Sequence, residues 1–172
     1  MNLDEAIQAA LEFEGGVHKT YQVAMEKVTD ETAKRVFKVL CDEEMGHIDY
    51  LRERLDEWRK TGKISEKKLH TSIPTKSAID AGLKKLRQQA SGKPSARGEG
   101  ELDVLHRALG VEVQASNFYK EMVGKLDGAG QQMFARFVEI EEGHLAIVQA
   151  EINAVTGLGY WFDIAEFSLE AG

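Results

Sequence analysis

Two stretches of the chain decide its fold: LCDEEMGH at residues 40–47 and FVEIEEGH at residues 137–144. Each ends in a Glu-x-x-His motif, whose histidines are His47 and His144. A step of three residues turns an α-helix through about 300°, so the Glu and the His project from one helix face, one turn apart. Both side chains of each motif can therefore reach the same metal ion.

A second motif, a Glu followed seven residues later by a Tyr, begins about thirty residues before each Glu-x-x-His. The two copies contain Glu14, Tyr21, Glu44 and His47 in the first half and Glu112, Tyr119, Glu141 and His144 in the second. The Glu-Tyr pair recurs at an offset of 98 and the Glu-His pair at 97, so one residue is lost at a turn between them. A lone Glu-x-x-His is most often a solvated helix face. The matched spacing instead favours an internal duplication.

Apolar residues recur at helical spacing in four long segments, and no strand pattern competes with them. The predicted helices run from Leu3 to Val28, from the N-cap residues Thr29 and Asp30 to about Lys60, from about Glu101 to Leu126, and from about Gln131 to Thr156. Gly128 and Gly130 are expected to separate the last two helices. The side chains predicted to point inward from the third helix are Leu105, Leu109, Val113, Phe118 and Met122.

The segment 61–100 differs from these helices. It contains both prolines, Pro74 and Pro94, and one short helical pattern, from Ala78 to Gln89, which together predict a crossover. Two helical hairpins joined by one long connection indicate an all-α fold, the ferritin-like variant of the four-helix bundle, with antiparallel helices in each hairpin and the crossover between helices 2 and 3. We expect residues 1–156 to form this single domain. The segment 157–172 is expected to be an aromatic tail that packs on the bundle or on a partner chain.

The composition limits the class of protein. The length of 172 residues, with 42% hydrophobic and 30% charged residues and no long apolar run, predicts one soluble domain and no membrane span. The net charge of -7 argues against a nucleic-acid partner, and the basic stretch from Lys84 to Arg97 fits a solvated helix face followed by a polar linker. The lone Cys41 excludes an internal disulfide, which favours a cytoplasmic setting.

The two motifs together supply four carboxylates and two imidazoles, the donors of a two-metal site. Four ionised Glu side chains carry a charge of about -4, which two divalent ions cancel, whereas unpaired carboxylates would cost several kcal/mol each when buried. Oxygen and imidazole donors without a thiolate suit iron or manganese, and zinc would bind adventitiously. We therefore expect two iron ions, with manganese as an alternative.

Other residues near the motifs were weighed against this set. Glu43 and Glu142 lie next to the predicted ligands, but neither has a His three residues later, so we expect them to support the ligands from just outside the ligand set or to lie at the surface. His18 lies four residues after Glu14 and is an alternative ligand in one redox state, although its counterpart is Ser116. The residues expected to have no role at the metals are Cys41, a small core residue, and the unpaired His70 and His106.

Tyr21 and Tyr119 lie two helical turns after their Glu, on the same face. Each phenol is expected to donate a hydrogen bond to a ligating carboxylate of the opposite hairpin. The alternative is a core aromatic ring whose hydroxyl is satisfied elsewhere.

The segments Glu14–Leu51 and Glu112–Glu151 resemble the rubrerythrin branch of the ferritin-like superfamily. The resemblance implies a non-haem di-iron centre that is bridged by two carboxylates and reacts with hydrogen peroxide or dioxygen, usually in a homodimer or a larger assembly. It also implies the ligands Glu14, Glu44, His47, Glu112, Glu141 and His144, with Tyr21 and Tyr119 as hydrogen-bond donors to them.

The chain departs from that family in two respects. Rubrerythrins proper carry a rubredoxin-like iron domain with two Cys-x-x-Cys pairs, and this chain has one cysteine, so the electrons are expected to come from a separate donor protein. The family's peroxidases also place an extra Glu three residues from the principal Glu of the third helix, where this chain has Leu109 and Ala115. The remaining set of four Glu and two His is equally that of a ferritin-type ferroxidase centre.

Three functions therefore follow as expectations. The first is an oxidoreductase that reduces hydrogen peroxide or dioxygen. The second is an iron-handling protein that oxidises ferrous iron and passes it on or stores it. The third is an interaction bundle that a metal merely stabilises, with the tail 157–172 as its docking element.

Overall fold

The computed structural model describes residues 1–89 and 99–158, and within them it contains helices and no strand. The helices are α1 (Leu3–Lys27), α2 (Glu31–Thr61), α3 (Lys76–Gln89), α4 (Glu99–Lys125) and α5 (Gly128–Val155). The prediction of an all-α fold is confirmed. Of the predicted aromatic tail, residues 159–172 lie outside the described ranges, as do residues 90–98 of the crossover.

The long helices pack as two antiparallel hairpins. Arg59, near the end of α2, donates to Asp4, at the start of α1, over 2.7 Å between Nε and Oδ2. In the second hairpin the ring of Tyr119 on α4 lies 4.8 Å from that of Phe137 on α5. Helix α1 also packs directly on α4, and α3 packs on α5. This arrangement makes the inner faces of α1, α2, α4 and α5 converge.

The connections within the hairpins explain the change of offset along the sequence. The first hairpin turns through residues 28–30 and the second through residues 126–127, so the second connection is one residue shorter. Lys27 and Lys125 end their helices at the offset of 98, and Glu31 and Gly128 begin the next helices at 97. The predicted loss of one residue at a turn is confirmed.

Side-chain capping fixes where the first two helices begin. Asn2 accepts from the backbone N–H of Glu5, whose carboxylate accepts from the backbone N–H of Asn2, which closes a capping box. Asp30 accepts from the N–H groups of Thr32 and Ala33 at the start of α2. Helix α2 ends at Thr61, and the next residue, Gly62, caps it in a left-handed conformation with φ of 68° that glycine tolerates without a steric cost.

Helix α5 begins at Gly128, three residues before the predicted start. Gly130 therefore lies inside its first turn rather than between two helices. A Cβ atom at Gly130 would approach Leu3 Cδ1 to 3.0 Å, so the close packing of α5 on α1 explains the glycine at this position. Because glycine has a low helix propensity, the sequence predicted a break at Gly128 and Gly130, where the structure has the first turn of α5.

The core consists of the apolar stripes that the sequence predicts, with one exception. In α2 and α5 the predicted inward side chains are buried: Val36, Phe37, Leu40, Ile48, Leu51, Leu55, Met133, Phe134, Phe137, Ile140, Ile147 and Val148. Val113 was predicted to point inward from α4, which is wrong, because its side chain is 42% exposed. The inward position of that turn belongs to its neighbour Glu112, which lies about 100° around the helix.

The segment 62–75 runs back along α2 and crosses α5. Tyr50 donates to the carbonyl of Lys67 over 2.8 Å, and Arg136 on α5 donates to the carbonyl of Leu69 over 3.2 Å. At Gly143 a Cβ atom would lie 2.8 Å from the carbonyl oxygen of Pro74, so this glycine lets the segment approach the helix. None of the described helices combines the length and apolar composition that crossing a bilayer requires.

Candidate metal centre

The six predicted ligands come from four helices and meet in the core. They are Glu14 on α1, Glu44 and His47 on α2, Glu112 on α4, and Glu141 and His144 on α5, each at most 1% exposed. Burial of carboxylates requires compensating charge or protons, because an isolated ionised carboxylate in an apolar core is expensive. Their convergence therefore calls for an explanation beyond packing.

The ligand atoms form two overlapping groups of four residues. The first contains Glu14, Glu44, His47 and Glu141, and the second contains Glu44, Glu112, Glu141 and His144. Within each group, one ligand atom from every residue lies within 4.8 Å of the others. Glu44 and Glu141 belong to both groups, so two ions held here would share two carboxylates.

The two imidazoles face the carboxylates through the same nitrogen. His47 Nδ1 lies 3.0 Å from Glu14 Oε2, and His144 Nδ1 lies 2.9 Å from Glu44 Oε1. The two rings are nearly parallel, with 5.3 Å between their centroids and 7° between their planes. The nitrogen Nδ1 of each ring therefore points into the cluster, and Nε2 points away from it.

The two tyrosines connect the hairpins crosswise. Tyr21 on α1 donates its hydroxyl hydrogen to Glu112 on α4, and Tyr119 on α4 donates to Glu14 on α1. Both phenols are fully buried, and burial together with the neighbouring carboxylates raises the pKa of each well above its usual value. The phenols therefore stay protonated and remain donors, which fixes the orientation of Glu14 and Glu112.

Without a metal, the cluster holds protons at some of its carboxylates. Burial, and then repulsion by Glu44, raise the pKa of Glu14 to about 8. Burial and the charge of Glu112 raise the pKa of Glu141 well above its usual value. Both acids therefore carry a proton near neutral pH, and a cation that binds here must displace it.

The pKa shifts of the two histidines and of Glu44 favour the charged form of each group. Burial lowers the pKa of both imidazoles, but the carboxylates outweigh it and raise both values well above normal, chiefly Glu44 at His47 and Glu141 at His144. Burial likewise raises the pKa of Glu44, but the charge of His47 and hydrogen bonds from the cluster lower it well below normal. Glu44 therefore keeps its negative charge at neutral pH.

Several oxygen atoms at the centre have no hydrogen-bond donor among the described residues. They are Glu44 Oε2, Glu112 Oε2 and Glu141 Oε1, all of them buried. A buried acceptor without a donor costs about 1–3 kcal/mol, and a cation would offset that cost. Four carboxylates and two imidazoles without a thiolate are also the donor set that iron and manganese prefer. The residues present therefore fit a two-metal centre.

A third group lies on the outer side of the imidazoles. One carboxylate oxygen of Glu43 and one nitrogen from each of His47 and His144 lie within 4.8 Å of one another. Ser72 of the segment 62–75 donates to Glu43 Oε1 from its backbone N–H over 2.8 Å and from its hydroxyl over 2.6 Å. Burial raises the pKa of Glu43, but hydrogen bonds from Ser72 and Thr71 and the charge of His144 lower it overall.

The Glu-x-x-His pattern alone did not predict that Glu43 lies close to both His47 and His144. Glu43 and His47 are four residues apart on α2, which puts them on one helix face and was the available signal. The position of Ser72 was not available from the sequence, since it depends on how the segment 62–75 crosses the bundle.

The remaining candidates lie away from the ligand groups. Among the described residues, His18 belongs to none of the three groups, and His70 and His106 are exposed. Cys41 is buried, and burial followed by the charges of Asp42 and Glu44 raises its thiol pKa, which fits a core residue.

Glu142 is half-buried, and one of its carboxylate oxygens lies 3.7 Å from Lys120 Nζ. Comparison of the chain with family models, with curated proteins and with solved structures finds no match.

Proposed function

We propose that the chain is a ferritin-like four-helix bundle that holds a di-iron centre of rubrerythrin type. In this proposal Glu44 and Glu141, which belong to both ligand groups, would help to hold both ions. Glu14 and His47 would complete the ligands of one ion, and Glu112 and His144 those of the other. The observation that carries the proposal is the pair of buried four-residue groups that share two carboxylates.

The proposed activity is the reduction of hydrogen peroxide or dioxygen with electrons from an external donor protein. Two ferrous ions, when bound, would supply two electrons that, with two protons from solvent, reduce one hydrogen peroxide to two waters or one dioxygen to hydrogen peroxide. The chain's own residues orient and insulate this chemistry: Tyr21 and Tyr119 hold the terminal carboxylates in place, and the packed core keeps bulk water out. Hydrogen-bond donors that are already oriented and shielded from water need little reorganisation when a reaction takes place beside them.

Oxidation of ferrous iron as a substrate is the second candidate. It is favoured by the absence of the extra Glu that the family's peroxidases place on the third helix, since the positions three residues from Glu112 hold Leu109 and Ala115. Ala115 is fully buried and Leu109 is partly buried against the core, so neither position offers an oxygen ligand. The four-Glu, two-His set then suits an iron that enters, is oxidised and leaves.

Stopped-flow spectroscopy of the anaerobic protein loaded with two ferrous ions per chain tests both candidates. Faster oxidation by hydrogen peroxide than by dioxygen supports the oxidoreductase. Oxidation of many irons per chain, with dioxygen as the better oxidant, supports iron handling. If neither oxidant reacts, both candidates fail and the metal has a structural role.

Elemental analysis of protein from its native host tests the metal. About two irons per chain would agree with the proposal, and two manganese ions would keep the site but change its chemistry. A chain that binds fewer than two divalent ions, even when they are supplied in excess, would contradict the two-metal centre itself.

A further inference from the structure

Three buried polar atoms converge on the outer side of the histidine pair. Glu43 Oε2, His47 Nε2 and His144 Nε2 each lack a hydrogen-bond partner among residues 1–89 and 99–158. One carboxylate oxygen of Glu43 and one ring nitrogen from each histidine also lie within 4.8 Å of one another. An acceptor and two potential donors are thus gathered at one place, where leaving each unpaired would cost about 1–3 kcal/mol.

Ligation by Nδ1 determines what Nε2 can do. Both Nδ1 atoms face the carboxylates of the proposed centre, at 3.0 Å for His47 and 2.9 Å for His144. A neutral imidazole has one bare nitrogen and one N–H, so a metal on Nδ1 places the hydrogen on Nε2. Both rings then present an N–H donor to the side where Glu43 lies.

The carboxylate of Glu43 has the free capacity to accept from both. Ser72 occupies Oε1 with two donors, which leaves Oε2 for the histidines. An ionised carboxylate oxygen carries two lone pairs and can accept two hydrogen bonds at once. One oxygen can therefore serve both rings.

We propose that Glu43 is a positioning residue that accepts the Nε2–H hydrogen bonds of both His47 and His144, and that Ser72 holds Glu43 for this task. The inference rests on the proposed two-metal site, because it needs both rings to bind through Nδ1. A carboxylate behind a ligating imidazole fixes the ring's tautomer and orientation and strengthens it as a ligand. In this proposal the one carboxylate of Glu43 orients the imidazoles of both ions. The segment 62–75 is linked to the centre through the hydrogen bonds of Ser72 to Glu43.

A third metal ion bound by Glu43 and the two Nε2 atoms is the competing use of the same atoms. It would require both imidazoles to offer Nε2 as a bare nitrogen while Nδ1 also binds a metal, and a neutral ring cannot do both. The hydrogen-bonded arrangement needs no extra deprotonation.

The test uses the full chain labelled with ¹⁵N at histidine and loaded with Zn²⁺, a diamagnetic probe that needs no redox reaction. In the unmodified protein we expect two Zn²⁺ per chain and two Nε2–H signals that exchange slowly with water. In Glu43→Gln we expect both signals to shift upfield and exchange faster, and Zn²⁺ affinity to fall about 10- to 100-fold. Glu142→Gln is the matched control, since Glu142 also adjoins a ligand, and it should change neither.

Several results would overturn the proposal. They are unchanged Nε2–H signals and affinity in Glu43→Gln, an Nδ1–H tautomer at either ring, or a third Zn²⁺ that Glu43→Gln removes. If Glu43→Gln does not fold, Ser72→Ala takes its place, with faster exchange of both signals expected and unchanged exchange contradicting the proposal. Failure to bind two Zn²⁺ in the unmodified chain would instead contradict the two-metal site.

Discussion

The two hairpins are alike on the inside of the molecule and different on the outside. Each supplies a Glu, a Tyr and a Glu-x-x-His to the same buried cluster, at matched positions. Outside the cluster, equivalent positions differ in residue type or in burial. Glu43 on α2 corresponds to the buried Ile140 on α5, and Gly46, which is exposed, corresponds to Gly143, which is buried.

The difference shows which positions of the repeated motif are constrained to keep the same residue type. Cluster residues must serve one another across the bundle, so both copies keep the same side chains. The outer faces meet different neighbours, because the segment 62–75 places Ser72 against Glu43 and Pro74 against Gly143. The connection between the hairpins is therefore the source of the asymmetry, and paired substitutions at equivalent positions can test this.

The largest effect is expected at the carboxylates that belong to both ligand groups. Glu44→Ala and Glu141→Ala should each reduce bound iron from two per chain towards zero, because each removes a donor from both groups. Glu14→Ala and Glu112→Ala should each retain about one iron, because each removes a donor from a single group. Iron per chain, measured by elemental analysis with circular dichroism to verify helix content, checks this. Two full equivalents in Glu44→Ala or Glu141→Ala would refute the ligand assignment.

The second prediction concerns the metal-free cluster as a whole. An unfolded chain loses the Glu14 proton near 4.5, whereas the folded chain holds it to about 8, so the folded state binds more protons between these values. Stability must then fall as pH rises through this window, by several kcal/mol at about 1.4 kcal/mol per pKa unit. The raised histidine pKa values act in the same direction above about pH 6.5, because the unfolded chain loses those protons there while the folded state keeps them.

Calorimetry of the metal-free protein from pH 5 to pH 8 should show a falling Tm, and two bound divalent ions should remove most of the fall. Glu14→Gln carries no titrating proton and serves as the control, with a flatter profile expected. A metal-free Tm that is constant or rises over this range would contradict the pKa assignments.

Alanine substitutions at the equivalent positions Gly143 and Gly46 should change the free energy of unfolding in opposite directions. Gly143→Ala places a Cβ 2.8 Å from the Pro74 carbonyl, and overpacking of this kind costs about 1–3 kcal/mol. Gly46→Ala meets no atom within 4 Å and should stabilise α2 by about 0.5–1 kcal/mol, since glycine is unfavourable inside a helix. Urea unfolding of the three proteins at one metal concentration measures both changes. Equal effects would show that the segment 62–75 does not press on α5.

The smallest effect is expected at the equivalent N-caps Asp30 and Asp127. Asp30 accepts two backbone N–H groups at the start of α2, so Asp30→Ala should cost about 1 kcal/mol. Asp127 makes no side-chain capping bond to α5, and Asp127→Ala should cost only a few tenths, from the lost charge at the helix terminus. Urea midpoints resolve a difference of this size. A larger loss of stability in Asp127→Ala than in Asp30→Ala would contradict this prediction.

Local periodicity was enough to predict the helices and the residues of the cluster. Glu14 and Tyr21, or Glu44 and His47, share a face because of helix geometry alone, so their recurrence fixed the inner faces of four helices. The limits of this reasoning are visible at Val113. A pattern that counts apolar residues assigned it to the core, but the charged Glu112 occupies the inward position instead.

What the sequence did not reveal depends on contacts between distant segments. Gly130 lies inside α5 despite glycine's low helix propensity, at a position where a Cβ atom would approach Leu3 to 3.0 Å. The environment of Glu43 is set by Ser72, 29 positions away along the chain. No local pattern encodes either contact, because each requires knowing which segment crosses which helix.

The crosswise tyrosine bonds have a consequence for assembly. Each ligand group draws on both hairpins, and each phenol reaches the other hairpin's carboxylate, so a separate hairpin would offer an incomplete centre. Two separate hairpins would have to find each other before a metal could bind, and their loading would vary with protein concentration. Joining them in one chain replaces that bimolecular step with a fixed effective concentration. A single chain therefore brings the whole set of candidate ligands together at any dilution.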